Sequence, residues 1–254
     1  MAQDIFKRYE KKYLLTEGQY QQLMLVIRGG ITLDQYGRHT ISNIYFDTPD
    51  YQLIRASLEK PLYKEKLRLR GYGTGLTENS PVYVELKKKF ESVVYKRRIE
   101  MSMKEARQYL YDGVEPKEKG QIWNEIDYTK HYYDLKPMVS LSYEREAYEC
   151  RWEPEIRITF DRNMRGRTED LDLRIRPYGK LLTKEGITLM EIKAPGAIPV
   201  WMSHLLGELK IYPVSFSKYG TFYKEYITMQ RKEERRKQKR IYSGVWTKGG
   251  IVCA

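Results

Sequence analysis

An α+β domain built mainly on antiparallel strands is the fold class this sequence predicts, and three observations predict it. Runs with period-two alternation follow one another through short turns, as in a meander. Helical stretches with recognisable caps flank them, and no internal repeat or Gly/Ser- or Pro-rich linker divides the chain. With 254 residues, 41% of them hydrophobic and 13% aromatic, there is enough apolar material for a real core, which excludes general disorder.

Residues 6–15 alternate and are rich in aromatic and aliphatic side chains, so they read as a strand. Thr16 then caps a helix over 17–28 that stops at Gly29-Gly30. Residues 42–47 form a short strand halted by Thr48-Pro49, and 50–59 a second helix. Three strands follow at 63–72, 82–90 and 93–101, separated by Gly-rich, Asn/Ser/Pro and charged turns. Ser102 opens a helix through Tyr111, and another covers 121–133. Strands return at 138–150, 155–161, 171–176 and 188–193, and helices at 197–209 and from Lys218 onward.

Charge is the most unusual feature. Lys and Arg number 46 against 34 Asp and Glu, a formal net charge of +12. Residues 231–240 hold seven basic and two acidic side chains, and with Lys248 they account for six of the twelve, leaving +6 for 1–230. The expected organisation is therefore a body over 1–230 and a basic tail over 231–254, helical first and then poorly ordered. The tail reads as a solvated extension, with an accessory contact to a polyanion or anionic surface as the alternative. Nothing approaches the roughly 20 apolar residues of a membrane-spanning helix, and residues 1–6 lack the apolar stretch of a secretory signal. The expectation is a soluble, cytoplasmic protein. Cys150 and Cys253 lie far apart and lack metal-type spacing, so neither a disulfide scaffold nor a cysteine zinc site is supported.

Because strand side chains alternate faces, residues at i, i+2 and i+4 point the same way. Lys66, Arg68 and Arg70 share a face, with Leu67 and Leu69 on the other. The same parity groups Arg8, Glu10 and Lys12; Glu85 and Lys87; Lys96 and Arg98; Tyr143 and Arg145; Arg157 and Thr159; Glu191 and Lys193. Any one of these is an ordinary solvated strand face. Together they concentrate Arg and Lys on neighbouring strands, where like charges repel. A sheet curled with its apolar face against helices and its basic face inward, neutralised by a polyanion, accounts for the pattern. With Lys218 added, the inward set carries twelve basic and three acidic residues, +9, so the outer surface of the body is expected to be slightly acidic. Nucleic acid, which needs exposed basic patches with stacking aromatics, is disfavoured; the 23 tyrosines read mostly as core. A slender, base-free anion such as triphosphate or polyphosphate suits the arrangement. Glutamates beside phosphate call for a bridging cation or a salt bridge, so Glu191, Glu10 and Glu85 are candidate ligands of Mg²⁺ or Mn²⁺. Nucleotide-loop, zinc-protease and serine-hydrolase motifs are absent, and His39, His131 and His204 are scattered.

Taken in order, Phe6-Lys-Arg-Tyr-Glu-Lys-Lys-Tyr13, Tyr45-Phe-Asp-Thr48, Lys66-Leu-Arg-Leu-Arg70, Val84-Glu-Leu-Lys87, Lys96-Arg-Arg98, Tyr143-Glu-Arg145, Arg157-Ile-Thr-Phe-Asp161, Met190-Glu-Ile-Lys193 and Ser215-Phe-Ser-Lys-Tyr219 resemble the VTC domain. That domain is the catalytic module of polyphosphate polymerases within the triphosphate tunnel metalloenzyme, or CYTH-like, superfamily. The resemblance implies a closed antiparallel β tunnel of about eight strands with a basic lumen, flanked by helices. It implies that Arg8, Lys12, Arg68, Arg70, Lys87, Lys96, Arg98, Arg145, Arg157 and Lys218 bind phosphate oxygens, aided by Tyr143 and Ser217, and that Glu191 holds the metal. Lys66 and Lys193 join the substrate set by parity, and Arg68, Arg70, Arg145 and Arg157 are assigned to the transferring phosphates. The hydrolase branch opens with Glu-x-Glu-x-Lys, whereas this chain reads Arg8-Tyr-Glu10-Lys-Lys12, which favours the polymerase branch. Ser215 replaces a basic residue of the eukaryotic polymerases. Their SPX sensor domain and membrane helices are not read here, so regulation by inositol phosphates is not carried over and a membrane-protein partner stays open. The expected reaction is metal-dependent transfer of the γ-phosphate of ATP to inorganic polyphosphate. The alternatives are a triphosphate hydrolase using the same tunnel and a non-catalytic polyphosphate-binding module.

Overall fold

A computed structural model describes residues 9–91, 93–116, 119–233 and 236. Arg8 and most of the expected tail lie outside them. The first strand, β1 (Tyr9–Leu15), passes to helix α1 (Glu17–Ile27) through a reciprocal cap, in which Thr16 Oγ1 accepts from Gln19 N and Gln19 Oε1 accepts from Thr16 N. A 3₁₀ turn (Arg28–Gly30) leads to β2 (Ile31–Leu33), which periodicity misses because it is three residues long, and then to β3 (His39–Asp47). Helix α2 (Gln52–Leu58) starts on the buried Asp47, whose carboxylate accepts from the backbone N–H groups of Thr48, Leu53 and Ile54. The hairpins β4 (Tyr63–Tyr72), β5 (Pro81–Phe90) and β6 (Val93–Ser102) match the expected meander. Ser102 and Glu105 form a second capping box at α3 (Met103–Leu110), followed by α4 (Gln121–Tyr132). The chain then runs through β7 (Lys136–Cys150), β8 (Arg157–Arg167), β9 (Lys180–Leu181), β10 (Thr188–Ala194), α5 (Val200–Glu208) and α6 (Lys218–Phe222). A π-helical turn (Tyr223–Ile227) continues α6.

The strand expected at 171–176 does not form. Asp172 accepts from the backbone N–H of Arg174 at 2.9 Å and from its guanidinium at 2.7 Å, a local turn that competes with a ladder. The apolar alternation there has a different origin: Leu173 is buried in a core beside Leu171.

One antiparallel sheet runs in the order β1-β10-β8-β7-β3-β4-β5-β6, with β2 attached to β7 and β9 to β8. Its outer face is covered by helices. Leu67, Leu69 and Leu86, worth about 2 kcal/mol each when fully buried, pack with Met103, Ala106, Trp123 and Ile126 of α3 and α4. Ile158, Phe160 and Ile192 pack with Leu23 and Ile27 of α1 and Met202 and Leu206 of α5. A closed tunnel was expected, and that expectation is corrected: among the described residues no ladder joins β6 to β1. The opposite face is also less uniformly basic than expected. Ile41 has the parity of Tyr45, and Leu189 that of Glu191; both belong to an apolar cluster with Val139, Leu141, Ile54, Tyr219 and Phe222, so α2 and α6 fill part of the inner face.

Candidate functional site

Beside that apolar plug lies a cavity of about 300 Å³. Glu10 and Lys12 of β1 line it, and so do Val94 and Lys96 of β6, although these strands stand at opposite ends of the hydrogen-bonded order. The sheet therefore curls far enough for its two edges to face one space. Among the described residues, nine basic side chains (Lys12, Lys66, Arg68, Arg70, Lys87, Lys96, Arg145, Lys193, Lys218) and three acidic ones (Glu10, Glu85, Glu191) reach it, a net of +6, together with Tyr45, Tyr143, Ser217 and Tyr219.

Strand register explains the placement. Across β4, β5 and β6 the rungs facing the cavity read Lys66, Lys87, Lys96 and then Arg68, Glu85, Arg98. Across β1, β10 and β8 they read Glu10, Lys193, Arg157 and then Lys12, Glu191, Thr159. Within this face two carboxylate centres organise the cations. Glu85, 1% exposed, accepts from Arg68 Nε at 2.7 Å, lies 2.6 Å from Lys96 Nζ, and has Arg98 and Arg70 at 3.6 and 3.9 Å. Glu191 is contacted by Lys12 at 3.2 Å, Arg145 at 3.5 Å and Lys218 at 3.6 Å. Beneath it the fully buried Asp161 binds Arg145 through two hydrogen bonds of 2.6 and 2.7 Å and Lys218 through one of 2.5 Å.

Titration follows from this geometry. Burial alone would raise the Glu85 carboxyl, but Arg68, Arg70 and Lys96 outweigh it and hold its pKa at about 2. Burial opposes ionisation of Glu191 as well, and Lys218, Lys12 and Arg145 keep it well below the usual carboxylate range. Lys66 and Lys87 have no ion pair among the described residues, and burial depresses both ammonium groups, Lys66 to about 8. Tyr45 accepts a hydrogen bond from Arg68 Nη1 at 3.2 Å; burial would raise its phenol, yet Arg68, Arg70 and Lys66 pull it down to about 8. Tyr143, which accepts from Arg70 Nη2 at 3.3 Å, is lowered despite its burial by Arg70, Arg145 and Lys218.

Two described residues of the expected set stand apart from the cavity. Arg157 shares the correct face, but its guanidinium lies 3.6 Å from Asp34 and 3.5 Å from Glu149, so neighbouring carboxylates draw it away. Arg98 sits at the rim, stacked 3.4 Å over the Tyr83 ring. Conversely, Asp161, Tyr45 and Tyr219 were not in the expected set. Asp161 has the parity of Arg157 and Thr159, a signal that a search for basic residues passes over.

No cluster of three or more metal-ligating side chains occurs among the described residues. Glu10 and Glu191 share Lys12, whose ammonium contacts them at 3.1 and 3.2 Å. That donor set suits an octahedral cation which takes one or two carboxylates and completes its shell with substrate phosphates and water. Among the described residues Glu85 shares no cation with Glu191, and its four cationic neighbours there make it an anchor for them instead.

Comparison with known proteins agrees with the fold. The model of the VTC domain family matches residues 7–226. The vacuolar transporter chaperone complex subunit 4 of Trypanosoma brucei brucei is 27% identical over 217 residues, 71% of this chain and 27% of that protein, so the chain spans about a quarter of its relative's length. A solved structure of a protein described as a putative adenylate cyclase, from Bacillus halodurans, superposes with a TM-score of 0.52 at 18% identity, over 82% of this chain and 92% of that one.

Proposed function

The chain belongs to the VTC domain family, and we propose that it is a phosphate-transfer enzyme which moves the γ-phosphoryl group of ATP onto the end of a growing polyphosphate chain. The observation that carries this reading is the cavity itself, a space lined, among the described residues, by nine cations and three carboxylates, in which Lys66 and Lys87 form no ion pair. Such a space is completed by a polyanion thin enough to enter it. On this reading the cavity is the basic lumen of a tunnel.

The nucleophile is a terminal phosphate oxygen, already ionised at neutral pH. It forms the new P–O bond as the bond between the β–γ bridging oxygen and the γ-phosphorus breaks, and ADP leaves with that electron pair. No protein base is required, so catalysis reduces to positioning and charge neutralisation. Arg68, held by Glu85 and Tyr45, and Arg145, held by Asp161, are preset donors that reorganise little during transfer. Arg70, Lys66, Lys87, Lys96, Lys193 and Lys218 would bind the remaining phosphate oxygens, with Tyr143 and Ser217 as neutral donors. Mn²⁺ or Mg²⁺, when bound, supplies charge neutralisation at phosphate oxygens, and Glu191 with Glu10 would hold it. The subunit name of the trypanosome relative extends the proposal to partner chains in a complex.

Purified protein incubated with ATP and Mn²⁺ tests the reading. A ladder of long polyphosphate is expected. Release of orthophosphate alone would assign a hydrolase, and tight polyphosphate binding with no turnover under any divalent metal would assign a binding module. Glu191→Gln is expected to abolish turnover while metal-free binding of tripolyphosphate persists.

A further inference from the structure

Transfer to a chain end needs a chain end, and a cavity without one calls for another acceptor in the first round: an oxygen nucleophile beside the transferring phosphorus. Among the described residues four hydroxyl side chains line the cavity, those of Tyr45, Tyr143, Ser217 and Tyr219. Ser217 Oγ caps α6, accepting from the backbone N–H of Gly220 at 3.2 Å, and an aliphatic hydroxyl needs a base to activate it. Tyr219 donates its proton to the buried Asp47 at 2.9 Å, and burial together with that carboxylate pushes its phenol well above the usual tyrosine range.

Tyr45 and Tyr143 are arranged the other way round. Each accepts from an arginine, Tyr45 from Arg68 at 3.2 Å and Tyr143 from Arg70 at 3.3 Å, and neither donates to a protein acceptor among the described residues. Tyr45 is the better placed of the two. It stands directly opposite Arg68 across the β3–β4 ladder, and its ring is stacked at 4.8 Å on Tyr219, which Asp47 anchors. The phenol oxygen is thus fixed against the guanidinium that Glu85 holds ready for the transferring phosphate. One cation then touches nucleophile and electrophile together, which brings them into reacting proximity. Burial opposes ionisation of this phenol, but Arg68, Arg70 and Lys66 outweigh it, and the same three cations would neutralise a phosphate ester formed on it.

We propose that Tyr45 is a phosphoryl acceptor, which takes the γ-phosphoryl group of a nucleoside triphosphate when the cavity holds no chain and passes it to inorganic phosphate, making the first chain end. The inference rests on the reading of the cavity as a phosphate-transfer site. In the first step the phenol proton has passed to solvent and the phenolate oxygen bonds to the γ-phosphorus. The bond from that phosphorus to the β–γ bridging oxygen breaks, and the nucleoside diphosphate leaves with the electron pair. In the second step an oxygen of inorganic phosphate attacks the tyrosyl phosphorus and the phenolate leaves with the pair, so pyrophosphate forms and Tyr45 is regenerated.

The test is labelling of the full chain by γ-radiolabelled ATP and Mn²⁺, without phosphate or polyphosphate. Label is expected in acid-precipitated protein, stable to alkali as a tyrosyl phosphate is, on the peptide that carries Tyr45; added inorganic phosphate should chase it into pyrophosphate. Tyr45→Phe keeps the ring and removes the acceptor. It should take no label, and its ratio of tripolyphosphate-primed to unprimed initial rates should exceed the wild-type ratio by about tenfold or more. A merely structural effect on Arg68 slows both rates and leaves that ratio unchanged. Polyphosphate synthesis by a wild type that takes no label, label confined to Tyr143 or Ser217, or an unchanged ratio in Tyr45→Phe would each overturn the acceptor. A wild type that releases no nucleoside diphosphate at all, primed or unprimed, removes the phosphate-transfer reading and the acceptor with it.

Discussion

Arg145 and Asp161 face each other across the β7–β8 ladder and meet in two parallel hydrogen bonds, Nε to Oδ1 at 2.6 Å and Nη2 to Oδ2 at 2.7 Å. Asp161 also accepts from Lys218 at 2.5 Å, so one buried carboxylate fixes two of the cations that contact Glu191. Neutralising it leaves both with only their longer contacts to Glu191. Asp161→Asn is expected to cost roughly 3 to 5 kcal/mol of folding stability, the range for breaking a buried pair from one side, measured by urea denaturation. A cost under about 1 kcal/mol, typical of surface pairs, would show that Asp161 does not anchor this wall.

Arg68 and Arg70 are both held in place within the cavity wall, Arg68 by Glu85 and Tyr45 and Arg70 by Asn43 and Tyr143. Truncating either to Ala should remove about 2 to 5 kcal/mol of tripolyphosphate binding. Arg157→Ala supplies the contrast. Its guanidinium already pairs with Asp34 and Glu149, so calorimetry should find its affinity changed by less than about threefold. Near-wild-type affinity in both cavity variants would remove them from the site.

The difference between these arginines marks how far the sequence reaches. Period-two alternation alone places Lys66, Arg68, Arg70 and Lys87 on one face, because each strand transmits its parity directly to the sheet. Parity also places Arg157 correctly, but the direction its side chain takes depends on Asp34, from a turn more than a hundred residues away, and no local pattern carries that. The capping boxes at Thr16 and Ser102 are short-range and legible. Whether β1 pairs with β6 is a relation between the two ends of the sheet order, and alternation is silent on it. Tyr45 and Tyr219 look like core from their composition, and in part they are: the rings stack at 4.8 Å and Tyr219 donates to the buried Asp47. Only the fold shows that Tyr45 also turns its hydroxyl toward Arg68.

Glu85 links acid stability to this site. Its pKa falls from 4.5 to about 2 on folding, so the folded state binds the proton less readily than the unfolded one. The associated stability is fully present above about pH 4.5 and is lost as pH falls toward 2, on the order of 3 kcal/mol in total. The stability advantage of wild type over Glu85→Gln, followed by denaturant titration, should therefore shrink through that window. An advantage that stays constant from pH 5 to pH 2.5 would exclude the linkage.

Alkaline titration is expected to act on binding. Tyr45 and Lys66 each have a pKa near 8, and each figures in the other's titration: the ammonium favours the phenolate, and the phenolate favours the ammonium. A proton lost near pH 8 therefore belongs to the pair. A bound polyanion favours Lys66 charged and Tyr45 neutral, so it favours the protonated pair. Affinity should be fully present below about pH 8 and weaken above it by up to tenfold per pH unit, the limit for one linked proton. Long polyphosphate is the suitable probe, since its interior phosphates stay ionised throughout. The double change Tyr45→Phe, Lys66→Gln removes the proton and should flatten the profile between about pH 7 and 9, at reduced overall affinity. If the double variant weakens above pH 8 as steeply as the wild type, the titrating group lies elsewhere and the pair has no part in the pH response.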